Sequence, residues 1–156
     1  MHCTCGNEVY PFTRLKGSDT MIVYDAFYIL RSDKYYKLTE AMGQELMRVG
    51  IQLSQIQQDV LWRHKNTKEC DVRRHAHVLL EEMKTAKYIL LAGSDVTQAL
   101  LGKNASDLYG LKVESEILGD KLIVVAPSIT TIASTPIGEM RDAVRYFAAE
   151  RRKYAK

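Results

Sequence analysis

The sequence predicts an α/β fold, a three-layer α/β/α domain around a central four-stranded parallel sheet. Three observations predict it. Four short apolar runs, Met21–Tyr24, Val60–Trp62, Tyr88–Ala92 and Leu122–Ala126, lack polar alternation, as strands covered on both faces do. Segments with apolar residues at helical spacing lie between them, and this alternation implies right-handed crossovers with helices on both sheet faces. The 156 residues are 46% hydrophobic and 26% charged, which fits a single domain over 1–156 and excludes disordered and fibrous classes.

After the first strand, Leu38, Ala41, Met42 and Leu46 share one face of a helix over Leu38–Val49, and Gly50 can supply its left-handed cap. The second strand is followed by a helix over about Cys70–Ala86, striped by Val72, Ala76, Leu79, Leu80 and Met83. Gly93 ends the third strand, and Ser94 is the expected N-cap of a short helix carrying Val96, Leu100 and Leu101. Leu111–Glu116 is a candidate short edge strand. The fourth strand leads to a helix from near Thr135, with Pro136 suited to its first position and Ile137, Met140, Val144, Phe147 and Ala148 facing the core. No internal repeat, low-complexity tract or linker interrupts this order.

Twenty-two Lys+Arg against nineteen Asp+Glu leave a net charge of +3, mildly basic and compatible with nucleic acid. No apolar run approaches the roughly 20 residues of a membrane span, and the N-terminus lacks a signal peptide's apolar stretch. Three cysteines, an odd count, argue against a disulfide scaffold and for a reducing compartment. The expectation is a cytoplasmic monomer with no membrane partner.

An open parallel sheet binds ligands beyond the carboxyl ends of its strands. Asp25 follows the first strand directly, where a partly desolvated carboxylate can orient water or stabilise developing positive charge; capping a turn or pairing with Arg31 would serve structure instead. Phe27, Tyr28, Tyr35 and Tyr36 can stack on a planar ligand or simply pack at the rim. Gly93-Ser94-Asp95 turns from strand to helix, a geometry that binds phosphate or merely caps. The hydroxyl-rich loop from Pro127 and Ser128 through Thr130 and Thr131 can approach a nucleic-acid backbone, or be a tight connection. Arg63, Lys65, Lys68, Arg73 and Arg74 border the crevice and suit a phosphate track, whereas Arg141, Arg145, Arg151, Arg152 and Lys153 read as the solvated face of the last helix. Cys70 lies near His64 and His75 in sequence, and the three thiols Cys3, Cys5 and Cys70 with one imidazole could bind zinc or an iron–sulfur cluster, or remain free thiols.

The order of these segments resembles the uracil-DNA glycosylase superfamily, in particular its small bacterial, archaeal and phage members, over roughly residues 20–150. Ile22-Val23-Tyr24-Asp25-Ala26-Phe27 stands where the family has V-G-E-A-P-G. Tyr35-Tyr36, Ala41-Met42-Gly43-Gln44-Glu45-Leu46 and Gly50-Ile51 follow in the family's order. Tyr88–Val96 with Ala99-Leu100-Leu101-Gly102 is similar to its strand–glycine–helix stretch. Tyr109-Gly110-Leu111 resembles the short element before its last strand, and Val124-Val125-Ala126-Pro127-Ser128-Ile129-Thr130 its terminal H-P-S or P-S-x-S motif.

The resemblance implies a DNA glycosylase that flips uracil or a related modified base and hydrolyses its N-glycosidic bond. Asp25 and Ser128 become the catalytic candidates. Phe27, Tyr36, His64 and Asn66 become base-binding candidates; Gly93, Ser94, Pro127, Thr130, Thr131, Arg63 and Lys65 become DNA contacts. No metal is required for bond cleavage. Cys3, Cys5 and Cys70, with His64, stand as a variant of the four-Cys cluster of some members, a structural iron–sulfur or zinc site. Departures are specific. Asp25 replaces the family's acidic or amide residue, the first motif lacks its proline and glycine, Trp62 stands near the usual base-reading Asn, and Ala126 replaces the terminal histidine. These departures motivate an alternative, a catalytically inactive DNA- or protein-binding factor of the same fold.

Overall fold

The computed structural model describes residues 18–26, 36–64, 70–109, 111–115, 118–128 and 137–154. Its elements are β1 (Thr20–Ala26), α1 (Tyr36–Arg48), β2 (Gln57–Trp62), α2 (Val72–Glu82), β3 (Tyr88–Ala92), α3 (Ser94–Leu101), β4 (Lys112–Ser115), β5 (Gly119–Ala126) and α4 (Ile137–Tyr154), with short 3-10 turns at Leu53–Gln55 and Ala105–Asp107. The sheet has five strands in the order β2-β1-β3-β5-β4. All neighbours are parallel except β4, which pairs antiparallel with β5.

The expected four-stranded sheet is therefore corrected to five. The four apolar runs are its parallel strands, and the candidate edge segment supplies the fifth. Only residues 116–118 separate β4 from β5, far fewer than the dozen or so that a parallel crossover needs, so the pair must run antiparallel. Gly119, at φ +73, takes the left-handed conformation where the chain turns into β5.

Alternation along the strands sends side chains into two separate cores. Ile22, Tyr24, Leu90 and Val124 face Met42 and Leu46 of α1 and Met140, Val144 and Phe147 of α4. Met21, Val23, Leu61, Ile89, Leu91, Ile123 and Val125 face Ala76, Leu79 and Met83 around α2 and Val96 and Leu100 of α3. This is the three-layer α/β/α arrangement.

Termini of the elements follow from local chemistry. Beyond α1, Ile51 N–H donates to Leu46 C=O at 2.9 Å and Gly50 N–H to Met47 C=O at 3.0 Å, with Gly50 at φ +84; this paired bond is the Schellman closure that a glycine there allows. Asp71 caps α2 by accepting from Arg73 N–H at 3.0 Å, so α2 begins at Val72 and not at Cys70. After α2, Lys121 of β5 reaches across and donates to the carbonyls of Met83 (3.0 Å), Lys84 (3.2 Å) and Ala86. That cation satisfies orphan acceptors where the dipole is negative.

The cations of α4 do more than face solvent. Arg141 grips the buried Glu45 of α1 with two bonds of 3.1 Å, and this guanidinium holds the Glu45 carboxyl below its ordinary range. Arg151 donates to Thr20 Oγ1 at 2.9 Å and lies over the Tyr88 ring at 5.7 Å. Arg152 reaches the Val49 carbonyl.

Candidate active site and a histidine–cysteine cluster

Register brings three strand ends together. Tyr24 of β1 pairs with Ala92 of β3, which pairs with Ala126 of β5. Their successors Asp25, Gly93 and Pro127 therefore lie side by side on the carboxyl edge of the sheet.

Asp25 is buried, with 8% of its surface exposed. Its Oδ1 accepts the Val96 amide hydrogen at 2.9 Å, so the carboxylate occupies the first turn of α3. Gly93 is the N-cap of that helix. A Cβ on Gly93 would overlap both carboxylate oxygens, the farther one at 2.6 Å. Its φ of 163 is extended backbone that any residue adopts, so close approach to Asp25 is what demands glycine here. Burial pushes the Asp25 carboxyl up to about 6; the neighbouring Asp95 charge adds to this, and the amides of Val96, Asp95 and Ser94 oppose it. Thr97 Oγ1 donates to the Gly93 carbonyl at 2.6 Å, bracing the turn.

One expectation changes accordingly: Ser94 is the first residue of α3, not its N-cap. The amides of Ser94, Asp95 and Val96 meet the Asp25 carboxylate, and an anion at a helix N-terminus is stabilised. Pro127 and Ser128 continue β5 and are buried.

Tyr109 joins this site without having been singled out as a site residue by its sequence. It bridges to Val125 in parallel register and is half-buried. Burial raises its phenol, and the charges of Glu139 and Asp25 raise it further, so it stands within electrostatic reach of Asp25. Its place before the β4–β5 pair was the signal available.

Arg63 is committed to the interior. Its guanidinium donates to Asp59 Oδ1 at 2.7 Å and to both oxygens of Glu82, Oε1 at 2.8 Å and Oε2. Burial opposes its charge, but the Glu82 and Asp59 carboxylates hold it protonated. Burial first, then the adjoining Glu82, raises the Asp59 carboxyl.

His64 lies not among open crevice side chains but in a cluster with Cys70 and His75, the two imidazoles buried and the thiol half-buried. The donor atoms of the three lie within 4.8 Å of one another, and Cys70 Sγ is 3.1 Å from His75 Nε2. The two imidazole rings meet edge to face at 4.7 Å, with the Trp62 ring 4.9 Å from His75. Of the expected metal ligands, the structure assembles Cys70 and His64 and adds His75. Phe27, Lys65, Asn66, Thr130, Thr131, Cys3 and Cys5 lie outside the described residues, as does the side chain of Tyr36, whose backbone opens α1.

Together these features define a three-layer α/β/α domain with a buried strand-end carboxylate against a helix N-terminus and a His–Cys–His cluster at the neighbouring strand. No protein-family model matches the chain, and no curated protein matches it. Among the described residues, no helix is long and apolar enough to cross a membrane.

Proposed function

We propose that the protein is a DNA glycosylase that flips uracil or a related modified base out of its strand and hydrolyses the N-glycosidic bond. The observation that carries this reading is the convergence of Asp25, the Gly93 turn and Pro127–Ser128 on adjacent strand ends, the three places where the motif order sets the family's chemistry. An Asp25 carboxyl raised to about 6 is mostly ionised at neutral pH yet basic enough to take a proton from attacking water. The same charge stabilises an oxocarbenium-like sugar as the C1′–N bond breaks. Water supplies the new C1′–O bond, its proton passes to Asp25, and the base departs with the bonding electrons.

Phe27 and Tyr36 are proposed for stacking on the flipped base and Asn66 for reading it, since His64 is 1% exposed within the His–Cys–His cluster. Ser128, with Gly93, Ser94 and Thr130, is proposed to sit against flanking phosphates, and Pro127–Thr131 to wedge into the vacated stack. Arg63 is held by two carboxylates, so in this reading Lys65, and not Arg63, supplies the cationic phosphate contact. The chain would act as a cytoplasmic monomer.

One observation favours a second reading. The bond from Asp25 to Val96 N–H is a structural task that an inactive DNA-binding relative of the same fold would also require. Oligonucleotides, single- and double-stranded, carrying uracil, hypoxanthine or hydroxymethyluracil, followed by alkaline cleavage of abasic sites, separate the two. Scission that disappears in Asp25→Asn is the expected result. Retained DNA binding without scission on any substrate selects the binder.

A further inference from the structure

We propose that His64, Cys70 and His75 bind one zinc ion that ties the end of β2 to the start of α2. The site is separate from Asp25 and stands whether or not the chain cleaves DNA. A nitrogen, a sulfur and a second nitrogen already converge: Cys70 Sγ and His75 Nε2 are 3.1 Å apart, and the whole set spans no more than 4.8 Å. Tetrahedral zinc, with bonds of about 2.3 Å to sulfur and about 2.0 Å to nitrogen, sets neighbouring donors about 3.3–3.6 Å apart. The cluster needs to adjust by up to about 1.5 Å to reach that geometry, a shift that side-chain torsions supply.

The environment suits a metal ligand set. His64 and His75 are 1% and 6% exposed. Trp62 packs on His75 at 4.9 Å and limits its rotation. Arg63 would repel a dication, but its guanidinium is matched by Asp59 and Glu82.

Two imidazoles and one thiol favour zinc over hard cations that prefer oxygen. They also disfavour an iron–sulfur cluster, which takes mostly thiolates. Binding exchanges the Cys70 thiol proton for a zinc–sulfur bond and releases that proton to solvent. Three protein donors leave the fourth tetrahedral position to water.

The test loads the chelator-stripped full chain with zinc or cobalt(II). One equivalent of zinc per chain is expected, and the cobalt form should show tetrahedral d–d bands with thiolate-to-metal charge transfer. Cys70→Ser should lose the charge-transfer band and bind zinc about 100-fold more weakly, the upper end of what even outer-sphere changes cost. Cys3→Ser/Cys5→Ser should keep both the stoichiometry and the band, which can then come only from Cys70. Substoichiometric zinc in the wild type, a cobalt spectrum without a thiolate band, unchanged binding in Cys70→Ser, or loss of metal in Cys3→Ser/Cys5→Ser would each overturn the proposal. Should Cys70→Ser not fold, the wild-type and Cys3→Ser/Cys5→Ser spectra decide.

Discussion

Gly93 and Asp25 fit together with no room for a methyl group between them: a Cβ at position 93 would overlap both oxygens of the Asp25 carboxylate. The carboxylate cannot yield easily, because the Val96 amide holds its Oδ1 at 2.9 Å. Gly93→Ala is expected to destabilise the fold by about 1–3 kcal/mol, the usual cost of overpacking an interior site. Removing the obstacle should restore part of that loss, so Asp25→Ala and Gly93→Ala should couple in a double-mutant cycle read by urea unfolding. Strict additivity would show that the clash is relieved elsewhere.

Asp25 also sets a pH dependence whose sign is fixed. Its carboxyl is raised in the fold to about 6, against about 3.9 in an unfolded chain, so the native state binds this proton more tightly. The stabilisation from Asp25 is complete below the unfolded value and is lost as pH rises through about 6. At 1.36 kcal/mol per unit the loss is about 3 kcal/mol. Asp25→Asn should remove this decline and be at least as stable as wild type at pH 7.5. Parallel stability curves for the two proteins from pH 4 to 7 would contradict the assignment.

The Arg63 network predicts a larger effect from a residue that its sequence placed on a phosphate track. Arg63→Leu removes the cation from two carboxylates at a largely buried site, a change expected to cost about 3–5 kcal/mol. Adding Asp59→Leu should recover part of it, since one of the stranded charges is then gone. Denaturant midpoints of the single and double variants measure this.

Lys121 makes a smaller and more local prediction. Its ammonium meets three carbonyls beyond the end of α2, and Lys121→Met should cost about 1–2 kcal/mol for a partly exposed charged donor. Amide exchange should quicken across residues 79–86 while the sheet stays protected. Uniform loss of protection would mean that Lys121 supports the whole fold.

The sequence made the sheet's interior legible because buried parallel strands advertise themselves as apolar runs, and Tyr88–Ala92 is identical in prediction and structure. Polar residues hid the rest. β2 starts at Gln57, three residues before its apolar stretch, because the Gln57 side chain donates to the Glu82 carbonyl and Asp59 accepts from Arg63. Partners distant in sequence made those positions tolerable inside, and no window along the chain contains them. At the site, Asp25 and Gly93 could each be picked out by their strand-end positions, but not their close approach, nor the Val96–Asp25 bond across 71 residues. The His64–Cys70–His75 group lacks the paired spacing that marks common metal motifs, so only folding α2 back on β2 brings its donors together.

The division of the core has a consequence for synthesis. The sheet face bearing Ile22, Tyr24, Leu90 and Val124 is roofed in large part by Met140, Val144 and Phe147, residues a ribosome adds more than a hundred positions after the first of those strands. Until α4 emerges, a nascent chain with its strands already paired carries a greasy, half-covered surface that chaperones would bind. Arg141 and Arg151, reaching back to Glu45 and Thr20, then latch the late helix onto the earliest parts of the domain.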